Sequence, residues 1–237
     1  MNPQFNLVER ERIFKWSQES LWDKDIGKRG REYLFDKRKI SESTAKTFCL
    51  GYVPKDANND LCDRIIFPVF DASNHLIAIS SRLVDNNSAG LSVYWHEKYN
   101  KSFYLYGINI TKDFIRSNKY VIVAEGTVDV LQFYDKGITN VVGLLGSSVS
   151  DFQIALLLRY CEKVIFIFDN DENKSGEKAA KRVDEKLKQL SGTAGKLINY
   201  GFVKLTQYKD PDEQVKNEGI ITLLKDIKAV KKELIDV

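Results

Sequence analysis

Six carboxylates in three stations are the residues best placed to do chemistry. Glu125 and Asp129 lie in Tyr120-Val-Ile-Val-Ala-Glu125-Gly126-Thr-Val-Asp129, Asp169 and Asp171 follow the apolar run Val164 to Phe168, and Asp210 and Asp212 flank a proline in Lys-Asp-Pro-Asp. Oxygen donors with no His or Cys close by select Mg²⁺, with Mn²⁺ as a substitute, over zinc. So many like charges at one edge would repel each other unless cations sat among them, and that repulsion is the reason to infer metal. Such cations usually serve phosphoryl transfer. The competing reading is helix capping, with Asp169 and Asp171 serving a helix that starts near Ser175 and Glu125 serving its own. That explanation suits any one station better than it suits all three.

The elements around these residues must bring them together. After Asn118 the pattern alternates strand and helix: strand 119–124, helix 127–136 closed by Gly137, strand 140–145, helix 150–160, strand 163–168, helix 175–190, a strand near 196–203 and a last amphipathic helix at about 220–235. Continuous apolar strands between helices predict a parallel sheet covered on both faces. In such sheets ligands bind outside the carboxyl ends of the strands. Glu125 and Asp169 each come directly after a strand, so they are expected to be neighbours in space. Asp129 falls in the first turn of the helix that Gly126 opens and can lean over the same edge. Asp171 points the same way as Asp169 if their loop is extended.

Before Asn118 the pattern differs. Residues 9–35 read as helix, broken near Gly27 and Gly30, and Ser41 is an N-cap for a short helix ended by Gly51. Strands at 64–70 and 76–80, joined by the turn cluster Asp71-Ala-Ser-Asn74, predict an antiparallel hairpin. Pro68 points to an edge or a bulge in the first of them. A short run at 91–95 and a helical segment from Tyr104 to Arg116 follow. The expected fold class is therefore α/β, a parallel sheet flanked by helices preceded by a smaller mixed subdomain, divided as 1–118, 119–204 and 205–237.

Composition narrows the partners. The 237 residues are 43% hydrophobic and 29% charged, ordinary for a chain with a real core. No apolar run approaches a membrane span and the N-terminus has no signal-peptide core, so a cytoplasmic protein without membrane contact is expected. Cys49, Cys62 and Cys161 are isolated from each other and from His75 and His96, which predicts no zinc site and reduced thiols. Net charge is +3, and the whole excess lies in residues 1–118. Between Lys24 and Lys39 seven Lys/Arg face three Asp/Glu, a mild attraction for a phosphate backbone, although most charge runs are solvated helix faces.

Glu125-Gly126-x-x-Asp129 followed by Asp169-x-Asp171 resembles the Toprim signature, a catalytic module of bacterial primases, topoisomerases and some nucleases. The flanking stretches Arg38 to Tyr52, Asp63-Arg64-Ile-Ile-Phe-Pro68, Ile79-Ser-Ser-Arg82, Lys101 to Gly107 and Gly143-Leu-Leu-Gly146-Ser147 are similar to the RNA polymerase domain of DnaG-type primases, in the same order. The resemblance runs from about Arg31 to about Gly219. It implies that Glu125 acts in proton transfer or metal binding, that Asp169 and Asp171 hold the main ion, and that Asp129, Asp210 and Asp212 extend the cluster. It further implies that Arg64, Arg82 and Lys101, with the Gly146-Ser147 turn, contact nucleotide or template. On the residues alone, Arg64 reads as an edge-strand charge and Lys101 as a loop charge. The chain departs from the family where Leu91 to Glu97 replaces a conserved-type Pro-Lys-Tyr-Leu-Asn segment, so one expected basic residue is missing. His75 and His96 match no family position.

The resemblance implies a minimal primase core making short RNA primers on single-stranded DNA from nucleoside triphosphates. The zinc-binding and helicase-binding domains of full-length primases are not expected within these 237 residues. That would suit a phage or mobile element, with a replicative helicase and a zinc module acting in trans. The alternatives are a Toprim nuclease, which would not need the motifs around Arg64 to Lys101, and a non-catalytic replisome accessory subunit, which gains nothing from confining so many like charges. A topoisomerase would need a tyrosine from a large separate domain.

Overall fold

The computed structural model describes residues 5–57, 60–85, 91–146, 148–170, 175–194, 198–205, 208 and 210–234. They group into two units, 1–100 and 101–237. No helix among the described residues is long and apolar enough to cross a membrane.

In the first unit, helix α1 (Leu7–Trp22) starts where the Asn6 side chain accepts the Glu9 N–H, and a short α2 (Lys28–Arg31) runs into a π-helical turn, Glu32–Lys37. The break between α1 and α2 is the one expected near Gly27. The Ser41 hydroxyl accepts the Thr44 N–H at 3.2 Å and starts α3 (Glu42–Thr47), as its type and position predict. Four strands follow in antiparallel order, β1 (Gly51–Val53), β2 (Arg64–Phe70), β3 (Leu76–Leu83) and β4 (Tyr94–His96). The expected β2–β3 hairpin is present and carries a bulge at Val69/Phe70. β1 was not legible as a strand, because three residues are too few to show a period of two. β2 is not an edge strand, since β1 pairs with it. That pairing stops at Ile66, however, and Ile79, opposite Pro68, turns its N–H and C=O towards Glu97. Pro68 therefore faces its nitrogen to the side that β1 has already left, and no ladder bond is lost.

One face of this sheet packs Val53, Ile66, Ile79 and Trp95 with Leu61 into a core that Phe5 and Ile13 of the N-terminal region cover. Charge closes it. Glu97 is 2% exposed and accepts four bonds: Phe5 N–H at 2.9 Å, Ile79 N–H at 3.1 Å, and Arg10 Nη2 and Nε at 2.7 and 3.0 Å. The carboxylate raises the Arg10 pKa further, mainly through that hydrogen bond and against the cost of burial. Asp63 is likewise buried, held by a two-pronged contact from Arg29 at 2.7 and 2.8 Å and by the Tyr52 hydroxyl at 3.1 Å.

The second unit begins with a 3₁₀ turn (Lys101–Phe103) and helix α4 (Ile108–Asn118), then alternates β5 (Tyr120–Ala124), α5 (Thr127–Asp135), β6 (Val141–Gly143), α6 (Asp151–Leu158), β7 (Lys163–Ile167), α7 (Ser175–Ala194) and β8 (Asn199–Val203). Helices α8 (Pro211–Glu218) and α9 (Ile220–Glu233) close the chain. All pairings are parallel, in the order β6-β5-β7-β8. β5 and β7 are buried from their second residue onward, which is why they read as unbroken apolar runs. α6 and α7 share a face, tied by Lys186 to Asp151 at 2.9 Å and to the Val149 carbonyl at 3.1 Å, while α8 packs on α5 and α9 on β7 and β8. The expected fold class is borne out. Helix α4 packs on β5 and β6, and by its contacts this unit starts at Lys101, 18 residues before position 119. Residues 205–237 likewise belong to it.

Replacing Glu97 by Ala strands Arg10 and two backbone N–H groups in a dry site. Losing one partner of a buried pair costs about 3–5 kcal/mol, so the urea midpoint of Glu97→Ala should fall accordingly. A loss below about 1 kcal/mol, the range of exposed pairs, would show that Glu97 does not close this core.

Candidate active site

The strand order β6-β5-β7-β8 has its reversal at β5. The chain moves from β5 to one side for β6 and then crosses back for β7, so the loops after β5 and β7 diverge and leave a crevice at their carboxyl ends. Ligands of open α/β sheets bind at such switch points. Glu125 directly follows β5, and Asp169 lies two residues past the end of β7. The two meet: the Asp169 backbone N–H donates to Glu125 Oε1 at 3.0 Å across 44 positions of sequence. The Oδ1 atom of Asp169 is shielded from solvent. Asp129 is 8% exposed in the first turn of α5, and its Oδ2 accepts the Gly126 N–H at 3.1 Å, a contact that fixes the turn between Glu125 and the helix.

The other acidic station is placed differently. Asp210 is the N-cap of α8, accepting the Glu213 N–H at 2.8 Å ahead of Pro211 at the first helical position. Asp-Pro at a helix start is a legible signal that sequence reading passed over in favour of metal binding. Asp171 lies outside the described residues, as do Ser147 and the side chain of Asp212. Among the described residues, no three His, Cys, Asp or Glu side chains converge as a metal-holding group.

Lys101 stands at the same end of the sheet. Its Nζ points to the Leu145 carbonyl at 3.5 Å, in the loop that follows β6, and burial lowers its pKa. Leu145 takes φ +62, a left-handed conformation costing an L-residue about 1–2 kcal/mol. Gly146 beside it is exposed, with open space where a side chain would stand. Glu125 and Asp169 thus follow β5 and β7, and Lys101, from the 3₁₀ turn before α4, reaches the loop that follows β6.

The two arginines belong to the first unit. Arg64, 2% exposed, gives Nη2 to Ser92 O at 2.7 Å, Nη1 to Val93 O at 3.2 Å and Nε to Asp60 O at 3.3 Å, and desolvation lowers its pKa. It ties the start of β2 to the segment before β4. Arg82, 7% exposed, lies between the rings of Tyr33 and Tyr94, with its guanidinium carbon 5.9 and 5.1 Å from their centroids.

Three further residues position the site, of which the sequence alone marks only Gly143, within the Gly143-Leu-Leu-Gly146-Ser147 stretch. Gly176, in the first turn of α7, has no room for a side chain: a Cβ would stand 1.8 Å from the Asp169 carbonyl oxygen. Gly143 is pressed between the Gly126 carbonyl, Val130 and Tyr106. Gln153, 2% exposed, gives its amide to the carbonyls of Tyr104 at 2.8 Å and Lys101 at 3.3 Å and so anchors the Lys101 turn. The glycines were visible as types, but only the packing shows which of them touch the site. A cavity of about 420 Å³ opens beside Asp169, walled by Phe168, Ala180, Phe202 and Leu205 with Lys181 and Lys204 at its rim.

Gly176→Ala should therefore push Asp169 out of place. Overpacking of this kind costs about 1–3 kcal/mol, measurable by chemical denaturation, and unchanged stability would show that the α7 start yields freely.

Residues 122–215 match a family model described as Toprim-like. The chain is 33% identical over 193 residues to a DNA primase of Campylobacter jejuni, an alignment covering 75% of this chain and 31% of that protein. The chain therefore spans about a third of the length of that curated relative. Its fold is similar to the Aquifex aeolicus primase (zinc-binding and RNA polymerase domains), with TM-score 0.77, 25% identity and coverage of 92% of this chain and 59% of that one. It is also similar to a DnaG primase catalytic domain bound to single-stranded DNA, with TM-score 0.78, 23% identity and coverage of 93% and 77%. The carboxylates at the β5/β7 switch, the Toprim-like match around them and the likeness over nearly the whole chain agree: this protein is similar, in sequence and in fold, to the catalytic core of DnaG-type primases.

Proposed function

We propose that the chain is the catalytic core of a primase, joining ribonucleotides on a single-stranded DNA template by metal-dependent nucleotidyl transfer. The observation that carries this reading is the meeting of Glu125 and Asp169 across the β5/β7 switch. Their donors are all oxygen, and one Asp169 oxygen is withheld from water, which suits a hard divalent ion such as Mg²⁺ or Mn²⁺. Glu125, Asp169 and Asp171 would hold the main ion, with Asp129, Asp210 and Asp212 extending the set. When bound, the ion supplies neutralisation of phosphate charge and alignment of the attacking and leaving oxygens.

The chain's own groups do the rest. Glu125, as the second carboxylate of the switch, is the group to move the proton of the attacking hydroxyl. Lys101 and Gly146, one edge strand away, would take the triphosphate together with Ser147, with lysine acting as a point charge and an open glycine letting the phosphate approach. The first unit would carry the template, with Arg82 beside it between the Tyr33 and Tyr94 rings and Arg64 shaping the strands beneath. A replicative helicase and a zinc module are the partners this reading calls for.

The test is incubation with single-stranded DNA, Mg²⁺ or Mn²⁺ and labelled ribonucleotides. New oligomers are expected, and Asp169→Ala should cut their rate at least about 100-fold, since even outer partners of metal ligands cost roughly 10- to 100-fold. Template shortening would replace the reading by a nuclease. Binding without either product, with helicase and zinc module supplied, would leave an accessory subunit.

Lys101 adds a pH signature. Burial holds its pKa below the ordinary lysine value, so its charge is present at low pH and is lost as pH rises, earlier than for a free lysine. The KM for nucleoside triphosphate should rise through the alkaline range in the native protein, and Lys101→Arg, whose charge persists, should remove that rise. Identical KM profiles for the two would detach Lys101 from the triphosphate.

A further inference from the structure

The cavity beside Asp169 has no task in nucleotidyl transfer, and its shape comes from the way α7 lies over β8. Gly176 and Ala180 stand four residues apart on one face of α7, and both line the cavity together with Phe168 and Phe202. The rings form an ordered wall. Phe166 and Phe202 are paired in register, and the planes of Phe166, Phe168 and Phe202 lie within 28° of one another at centroid separations of 5.6 to 6.3 Å. One turn further along α7 the gap closes, where the Tyr200 hydroxyl donates to Asp184 Oδ1 at 2.7 Å and Lys188 donates to Oδ2 at 2.8 Å. Small residues opposite large rings leave about 420 Å³ between them. Folded interiors hold few voids larger than a water molecule, and pockets for small ligands begin at about 300 Å³.

This space is separate from the triphosphate side. Lys101 reaches the loop after β6, whereas the cavity lies between α7 and β8, at the other end of the order β6-β5-β7-β8. The charges around it are uneven. Asp184 is engaged by Lys188 and Tyr200, and Glu177 stands 3.5 Å from Lys204, while among the described residues no carboxylate is paired with Lys181. Aromatic walls with an uncompensated cation at the rim favour a ligand that is flat, largely apolar and negative at one end. We infer that the α7–β8 cavity is a small-molecule site for a planar aromatic compound bearing one negative group, its rings against Phe168 and Phe202 and its charge towards Lys181. Gly176 and Asp169 belong to the lining, so an occupant touches the residues that shape the β5/β7 switch. The inference does not depend on the template-directed reading, because it needs neither metal nor nucleic acid.

The experiment is a fluorescence titration of the full chain, in EDTA and at low salt, with two probes that brighten in apolar surroundings: 8-anilinonaphthalene-1-sulfonate and its uncharged counterpart N-phenyl-1-naphthylamine. Saturable binding of both is expected. Ala180→Phe, which fills the gap, should lose saturable binding of both, with its urea transition confirming that it folds. Ala180→Leu fills less and should show a smaller loss of the same kind, which keeps the test open if the phenylalanine variant fails to fold. Lys181→Glu should weaken the sulfonate about tenfold and leave the naphthylamine unchanged, since only the first carries charge. Undiminished binding of both probes by a folded Ala180→Phe or Ala180→Leu would place them elsewhere on the surface and overturn the site. A Lys181→Glu variant that binds the sulfonate as the native protein does would overturn the assigned ligand charge. Primer synthesis by a native protein that binds neither probe would remove the site and leave the proposed function standing.

Discussion

Two acidic residues 44 positions apart in sequence do not come into contact without a structure that insists on it. Here the insistence comes from the sheet. Because β5 lies between β6 and β7, the loops leaving β5 and β7 part company at the point where both strands end, and Glu125 and Asp169 are delivered into the gap. The Asp169 N–H then donates to Glu125, so a backbone dipole supplies part of the positive potential that the pair needs. Asp129 fixes the turn between Glu125 and α5, and Gly176 lets α7 start hard against the Asp169 carbonyl. Each of these contacts would be without purpose if the strand order were different.

The first unit uses charge in the opposite sense. Its basic excess looked like a surface available to a polyanion, yet Arg10, Arg29 and Arg64 point inward, two onto the buried carboxylates Glu97 and Asp63 and one onto backbone carbonyls. A buried carboxylate is tolerable only when its oxygens are saturated, and the four bonds on Glu97 meet that demand. These arginines act as internal ties between helices and strands. The cations gathered on Tyr33 are arranged quite differently, on a ring rather than on an acid.

Legibility followed length and period. The strands and helices after Asn118 are long, apolar or capped, and they lie close to where pattern reading puts them. The short elements were lost: β1 has three residues, and α8 was hidden behind the acidic reading of Asp210 and Asp212 although Asp-Pro is a helix start. The allegiance of α4 was equally hidden. α4 precedes the first parallel strand in sequence, and only its packing on β5 and β6 assigns it to that sheet.

The sequence by itself determined the class of chemistry and most of the scaffold, because residue type and strand period are local properties. Carboxylates after apolar runs, a glycine at the turn, and alternation of strand and helix can all be read one window at a time. What only the tertiary structure decided is which of those residues meet. Contact between Glu125 and Asp169 depends on strand order, the burial of Arg64 on the path of the segment before β4, and the cavity beside Asp169 on where the small residues of α7 fall over Phe168 and Phe202. Those are relations between distant parts of the chain, and no local pattern encodes them.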